Sequence, residues 1–298
     1  MSAFTRRSLL GAAGALIAAP TVLAQPRPPG LVPYTTFSGK QVQRRAFAGT
    51  HFALLIEPSR TVDRIVTDRV VSALDRGWEW YRGLIGFVPE AKVVHAGKAI
   101  VAESDSNLAH RGQAGFELQP STMTLLLTEA RRDRYSQASF YLMGLNFWFF
   151  KQQLGKIDAF EYGFAHVHRF HCIEGAGLTG APWDENFDFD HYRKSIIIDM
   201  LAQYLADPKL NWENTLAANK APDNPHGWVA SDLAGALFHR IRIDHGFEGY
   251  RRFWKVMMDA PAAETPRECV ERFVQVARVA TGADYRWMMR DQKLALVY

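Results

Sequence analysis

The densest run of potential ligands in the chain is His166-Val167-His168-Arg169-Phe170-His171-Cys172. On a helix, His168, His171 and Cys172 fall at i, i+3 and i+4 and share one face, while His166 points nearly opposite; Glu174 follows close behind. Imidazole with thiolate suits zinc or copper. A trio drawn from one helix turn is strained as a complete metal site, so a further ligand would have to come from elsewhere. Phe160, Phe164 and Val167 lie on or beside the same face and give the competing reading, in which these are hydrogen-bonded core histidines. The acidic loop Asp184-Glu185-Asn186-Phe187-Asp188-Phe189-Asp190-His191 has carboxylates that suit calcium, but it lacks the glycine and terminal glutamate of an EF-hand. Glu117 and Glu161 are candidates for a carboxylate pair across a cleft. G-x-S-x-G, G-x-G-x-x-G and phosphate-loop patterns are absent, which removes the common hydrolase and nucleotide-binding signatures.

Positioning these groups falls to a chain of 298 residues that is 48% hydrophobic, enough for a substantial core. Residues 1–24 stand apart as a twin-arginine signal peptide. Arg6-Arg7 precedes the apolar run Leu9 to Ala19, and small residues lead to a cleavage site before Gln25. The expectation is an exported protein, periplasmic or secreted, with no stable membrane span after cleavage. Losing Arg6 and Arg7 lowers the formal charge from +4 to +2, which is no nucleic-acid footprint. Two cysteines, Cys172 and Cys269, remain, and spacing alone does not pair them.

Residues 25–134 read as a small mixed sheet and helix unit. Phe52 to Ile56 is a buried strand, and Thr61 caps a helix that carries Ile65, Val66, Val70, Leu74, Trp78 and Tyr81 and stops at Gly86. Lys92 to Ala102 and Met123 to Leu127 read as further strands, and Gly112 to Leu118 as a turn entering another. Residues 135–298 read as a mostly helical domain. Its centre is Tyr135 to Gly155, apolar on every side of a 3.6-residue period and therefore an enclosed helix. Asp158 to Glu174 and Asp190 to Leu205 follow as helices, and Thr265-Pro266-Arg267-Glu268 is a capping box opening another. The fold class is thus α+β, a small N-terminal sheet unit followed by a helical domain.

That order resembles the gluzincin zinc metallopeptidases, the thermolysin-like and aminopeptidase-like group. In the family a first core helix carries H-E-x-x-H, and here Tyr141-Leu142-Met143-Gly144-Leu145 stands in that place, with Asn146-Phe147-Trp148-Phe149 where a Q-W-F-like segment follows. The next family helix opens with a segment like N-E-G-F-A, and this chain has Glu161-Tyr162-Gly163-Phe164-Ala165. Asp232 to Leu237 and His245-Gly246-Phe247 are similar to the family's later helical region. The resemblance places Tyr141 and Leu145 at the two histidine positions, Leu142 at the general base and Tyr162 at the third ligand. Leucine neither binds zinc nor accepts a proton, and a neutral phenol is a poor substitute for imidazole or carboxylate. What the resemblance implies is an exported gluzincin-like protein without its zinc site, a non-catalytic binding or structural module. Its cleft would be lined by Tyr141, Tyr162, Glu161 and Glu117, would need no cofactor, and would take a peptide, glycan or small ligand. The other expectation is a periplasmic hydrolase or metal-binding protein using zinc or copper on the helix of His168, His171 and Cys172.

Overall fold

The computed structural model describes residues 30–107, 110–112, 114–184 and 187–295. The signal segment at 1–24 and part of the acidic loop, Glu185 and Asn186, lie outside the described residues. Strands β1 (Leu31–Thr35), β2 (Gln41–Ala48) and β3 (Phe52–Ile56) form an antiparallel meander. Helix α1 (Arg64–Ile85) then carries the chain over one face of the sheet. The short strand β4 (Val94–His95) turns into β5 (Lys98–Glu103), which runs parallel to β3. Strands β6 (His110–Arg111) and β7 (Phe116–Leu118) complete the order β1-β2-β3-β5-β7-β6, with β4 on β5. Every position of β3 is buried because both faces of the sheet are covered, which explains its unbroken apolar run. Asp63 rather than Thr61 caps α1, its carboxylate accepting from the Ile65 N–H at 2.9 Å, and Gly86 ends it at φ +83°.

The expected strand Lys92 to Ala102 is instead the β4–β5 hairpin, turning at Ala96-Gly97, and two further expected elements differ. Met123 to Leu127 lies within helix α2 (Pro120–Ala130), not in a strand. A five-residue apolar run does not reveal its period, and Pro120 at the first helical position, with no N–H to lose there, starts a helix. The enclosed central helix is shorter than its apolar surface suggests. Helix α3 (Gln137–Asn146) closes where the Phe147 N–H is shared between the Met143 and Gly144 carbonyls, both at 3.1 Å. The aromatic run turns its rings into the core, with Phe147 and Phe150 buried, before the short α4 (Lys151–Leu154). Asn146 fastens this corner to the sheet by donating to the Gly115 carbonyl at 3.1 Å.

Helix α5 (Asp158–Gly175) packs beside α3. The next helical stretch is α6 (Phe189–Arg193), a π turn at Lys194–Asp199 and α7 (Met200–Ala206). Helix α8 (Ala230–Asp259) is broken at Gly246, where φ is +65°, and α9 (Pro266–Thr281) begins on the expected cap, with the Thr265 hydroxyl accepting from the Glu268 N–H. Helices α5 and α8 cross closely at two glycines. A Cβ on Gly163 would lie 2.7 Å from the Ser231 carbonyl oxygen and 2.8 Å from the Gly235 nitrogen. One contiguous core runs from Phe47 in β2 through the helices to Leu294, so the sheet unit and helical region share their packing. A smaller cluster of Tyr34, Leu55, Ile100 and Ala102 covers the other sheet face. Among the described residues no helix is long and apolar enough to cross a membrane.

Candidate functional site

The close α5–α8 crossing brings together side chains that sequence separates. Tyr162, His166 and Arg169 follow one another along α5 at steps of four and three and share a face. Asp232 stands in the first turn of α8, where one carboxylate oxygen accepts from the Val229 N–H at 2.9 Å and the other lies 2.5 Å from His166 Nδ1. Since a carboxylate only accepts, Nδ1 carries the proton and Nε2 is left with its lone pair. Burial depresses the His166 pKa, and the hydrogen bond to Asp232 opposes this only in part, so the ring is neutral.

Tyr141 of α3 meets this ring edge-on at 5.1 Å. Its phenol pKa is raised by burial and by the neighbouring Tyr162, while Arg169 pulls it down. The Arg169 guanidinium lies 5.9 Å from the Tyr141 ring and 5.7 Å from that of Trp183, and donates to the Tyr192 hydroxyl at 3.2 Å. Trp183, half exposed, stacks on Tyr192 at 4.5 Å. The surface from Tyr162 to Trp183 is therefore aromatic, with an imidazole and a guanidinium set into it.

Adjoining this surface, a groove of about 550 Å³ lies between edge strand β6, the end of α3 and the start of α5. Its lining includes Arg111, Leu145, Asn146, Trp148 and Glu161. Arg111 and Glu161 pair across it at 2.5 Å. Glu117 does not face Glu161. In β7, Phe116 and Leu118 point to the main core, so Glu117 takes the opposite face of the sheet and accepts from the Tyr34 hydroxyl at 2.7 Å and the Phe37 N–H at 2.9 Å. Glu117 is thus removed from the cleft. Tyr141 is half-buried beside it, and Tyr162, 44% exposed, stands open.

His168, His171 and Cys172 are fully buried. His168 Nδ1 donates to the Phe164 carbonyl at 2.6 Å, which leaves Nε2 to accept from the Tyr250 hydroxyl at 2.8 Å, so both of its nitrogens are engaged. His171 Nε2 meets His239 Nδ1 at 2.8 Å, and the Cys172 thiol points at the Gly77 carbonyl. Among the described residues no three His, Cys, Asp or Glu side chains are grouped so as to hold a metal ion. Burial lowers the pKa of His168 to about 3 and that of His239 to about 4, and it pushes His171 well down, with the Arg242 charge adding to all three. Cys172 and Cys269 are both buried and not joined to each other. Glu174 pairs instead with Arg193 and Arg242.

Zinc does not fit the positions where the resemblance expects it. Tyr141, Leu142, Leu145 and Tyr162 offer no imidazole, thiolate or carboxylate, and of the donors nearby Asp232 and Glu161 are engaged with protein partners, which leaves one imidazole nitrogen of His166, too few for zinc. Comparison with protein-family models and with curated proteins finds no match. The residues the sequence did not single out are Asp232's partner role, Arg169, Arg111, His239 and Tyr250. A carboxylate three residues after a helix start signals a capping role for Asp232, but nothing local couples it to His166.

Proposed function

We propose that this is an exported protein of gluzincin-like architecture that has lost its zinc chemistry and binds a ligand in the groove beside strand β6. The groove itself carries the reading: it lies where sheet edge, α3 and α5 meet, and every position expected to hold zinc has a side chain that cannot. Of the ligand classes, an extended peptide is favoured. β6 is the last strand in the order of the sheet, the position at which an extended peptide adds, and the Arg111–Glu161 pair offers both charges to its side chains. Titration of Trp148 fluorescence with a mixture of extended decapeptides tests this. Binding is expected, with about tenfold weakening by Arg111→Ala, the loss of one charge-assisted hydrogen bond, and no change on adding EDTA. Absence of binding at millimolar peptide, or its abolition by EDTA, overturns the reading.

Export rests on the paired arginines ahead of the apolar run at residues 9–19. Changing Arg6 and Arg7 together to lysine is expected to hold the precursor in the cytoplasm. Processed protein appearing outside in unchanged yield, followed by immunoblot of cell fractions, refutes it.

A further inference from the structure

His166 turns one ring nitrogen into the protein and leaves the other free. Nδ1 is locked on Asp232 at 2.5 Å, and Nε2 has no hydrogen-bond partner among the described residues, while about a fifth of the side chain stays open to solvent. Asp232 cannot swing away. It is almost fully buried, its second oxygen is held by the Val229 N–H at the start of α8, and the α5–α8 crossing at Gly163 and Gly235 sets the separation of the two helices. An imidazole oriented through Nδ1 by a fixed carboxylate, with its Nε2 lone pair presented outward, is the arrangement a general base requires. Tyr141 covers one side of the ring by its edge contact, and Tyr162, one turn earlier on the same face of α5, is exposed. Arg169, on the same face of α5, places a positive charge that bears on the ring: it opposes the imidazolium, which Asp232 must offset, and favours negative charge developing beside it.

We propose that His166 and Asp232 form a metal-free general-base pair that activates water for hydrolysis of a carboxylic ester seated over Tyr141 and Tyr162. Nε2 takes a proton from water as the water oxygen bonds to the carbonyl carbon, and Asp232 stabilises the imidazolium so formed. The tetrahedral intermediate collapses with cleavage of the bond from carbon to the alkoxy oxygen, and His166 returns its proton to that oxygen, giving acid and alcohol from ester and water. Esters are the fitting class because an alkoxide or phenoxide leaves with little help, whereas an amine leaving group needs a well-placed acid. The proposal goes beyond ligand binding at the β6 groove, since a small ester needs neither Arg111 nor the sheet edge.

The test is hydrolysis of p-nitrophenyl acetate, with EDTA present, by wild type and by His166→Ala, His166→Gln and Asp232→Asn. We expect kcat/KM to fall about a hundredfold in both His166 variants and about tenfold in Asp232→Asn. Free imidazole in the buffer should restore His166→Ala in part, and His95→Ala on the β4–β5 hairpin should match wild type. Should His166→Ala fail to fold, judged by circular dichroism, the comparison passes to Asp232→Asn. Wild-type hydrolysis no faster than that of the folded dyad variants, or loss of activity without imidazole rescue in a folded His166→Ala, overturns the proposal. Peptide binding in the groove is read separately by fluorescence, so either reading can fail alone.

Discussion

Replacing Trp254 by alanine is expected to destabilise the protein by about 3–5 kcal/mol, the usual cost of emptying a large aromatic site in a core that relaxes only in part. Trp254 is fully buried on α8, and its indole is ringed by Phe150 at 4.7 Å, Phe164, Phe238 and Phe253 at 4.9 Å, His168 at 5.5 Å and Tyr250 at 5.7 Å. Those neighbours come from the α3–α4 corner, α5 and α8, so the cavity loosens the junction of three segments at once. For a chain of this length the melting temperature should fall by about 10 °C. Trp148→Ala, in contrast, removes a ring that is only partly buried and touches Phe150 and Phe164 at 5.4 Å, and roughly half the loss is expected from its smaller buried area. Thermal melts followed by near-ultraviolet circular dichroism decide the matter. A shift of under about 2 °C for Trp254→Ala would mean that the aromatic junction does not hold the core.

That junction also marks how far sequence reasoning reaches. Local signals carry the elements: the Thr265 capping box, the five-residue run of β3, and the spacing of Val66, Val70, Leu74, Trp78 and Tyr81 on α1. The α+β order and the helical second part follow from these. The break after Asn146 does not, since four consecutive aromatic rings satisfy the helical period as well as a bend does. The break instead depends on where the sheet offers the Gly115 carbonyl to Asn146. The face of Glu117 is similar. Alternation in β7 tells that Glu117 opposes Phe116, but which side meets the helices is a tertiary fact. Residues as far apart as His166 and Asp232 meet because two glycines let helices approach, and no spacing rule within one helix contains that. The helix of His168, His171 and Cys172 was legible as a shared face. Whether that face held a metal or a core turned on its partners, and those, Tyr250 and His239, stand on α8.

The histidines of this cluster make the stability of the fold depend on acidity. His168 titrates near 3 in the folded chain and His239 near 4, against about 6.5 for an unfolded histidine. Burial is the leading cause at each. Because the folded values are depressed, the unfolded chain takes up protons that the native chain refuses once the pH drops below about 6.5. Stability is therefore complete above that pH and falls by about 1.4 kcal/mol per pH unit for each such histidine. The loss continues until about pH 4 for His239 and about pH 3 for His168. Between pH 6.5 and pH 5, His168 alone accounts for roughly 2 kcal/mol, and the fully buried His171 adds a loss of the same sign. Urea unfolding at pH 7.5, 6.5, 5.5 and 5.0 measures it. The decisive comparison is the paired change His168→Phe with Tyr250→Phe, which removes the imidazole together with the hydroxyl that would otherwise be left without its acceptor. This double variant should lose about one proton's worth of the slope, about 1.4 kcal/mol per pH unit, across that window. If the slopes are equal, His168 accepts a proton in the folded chain as readily as in the unfolded one, and the neutral assignment that excludes it from ionic chemistry fails.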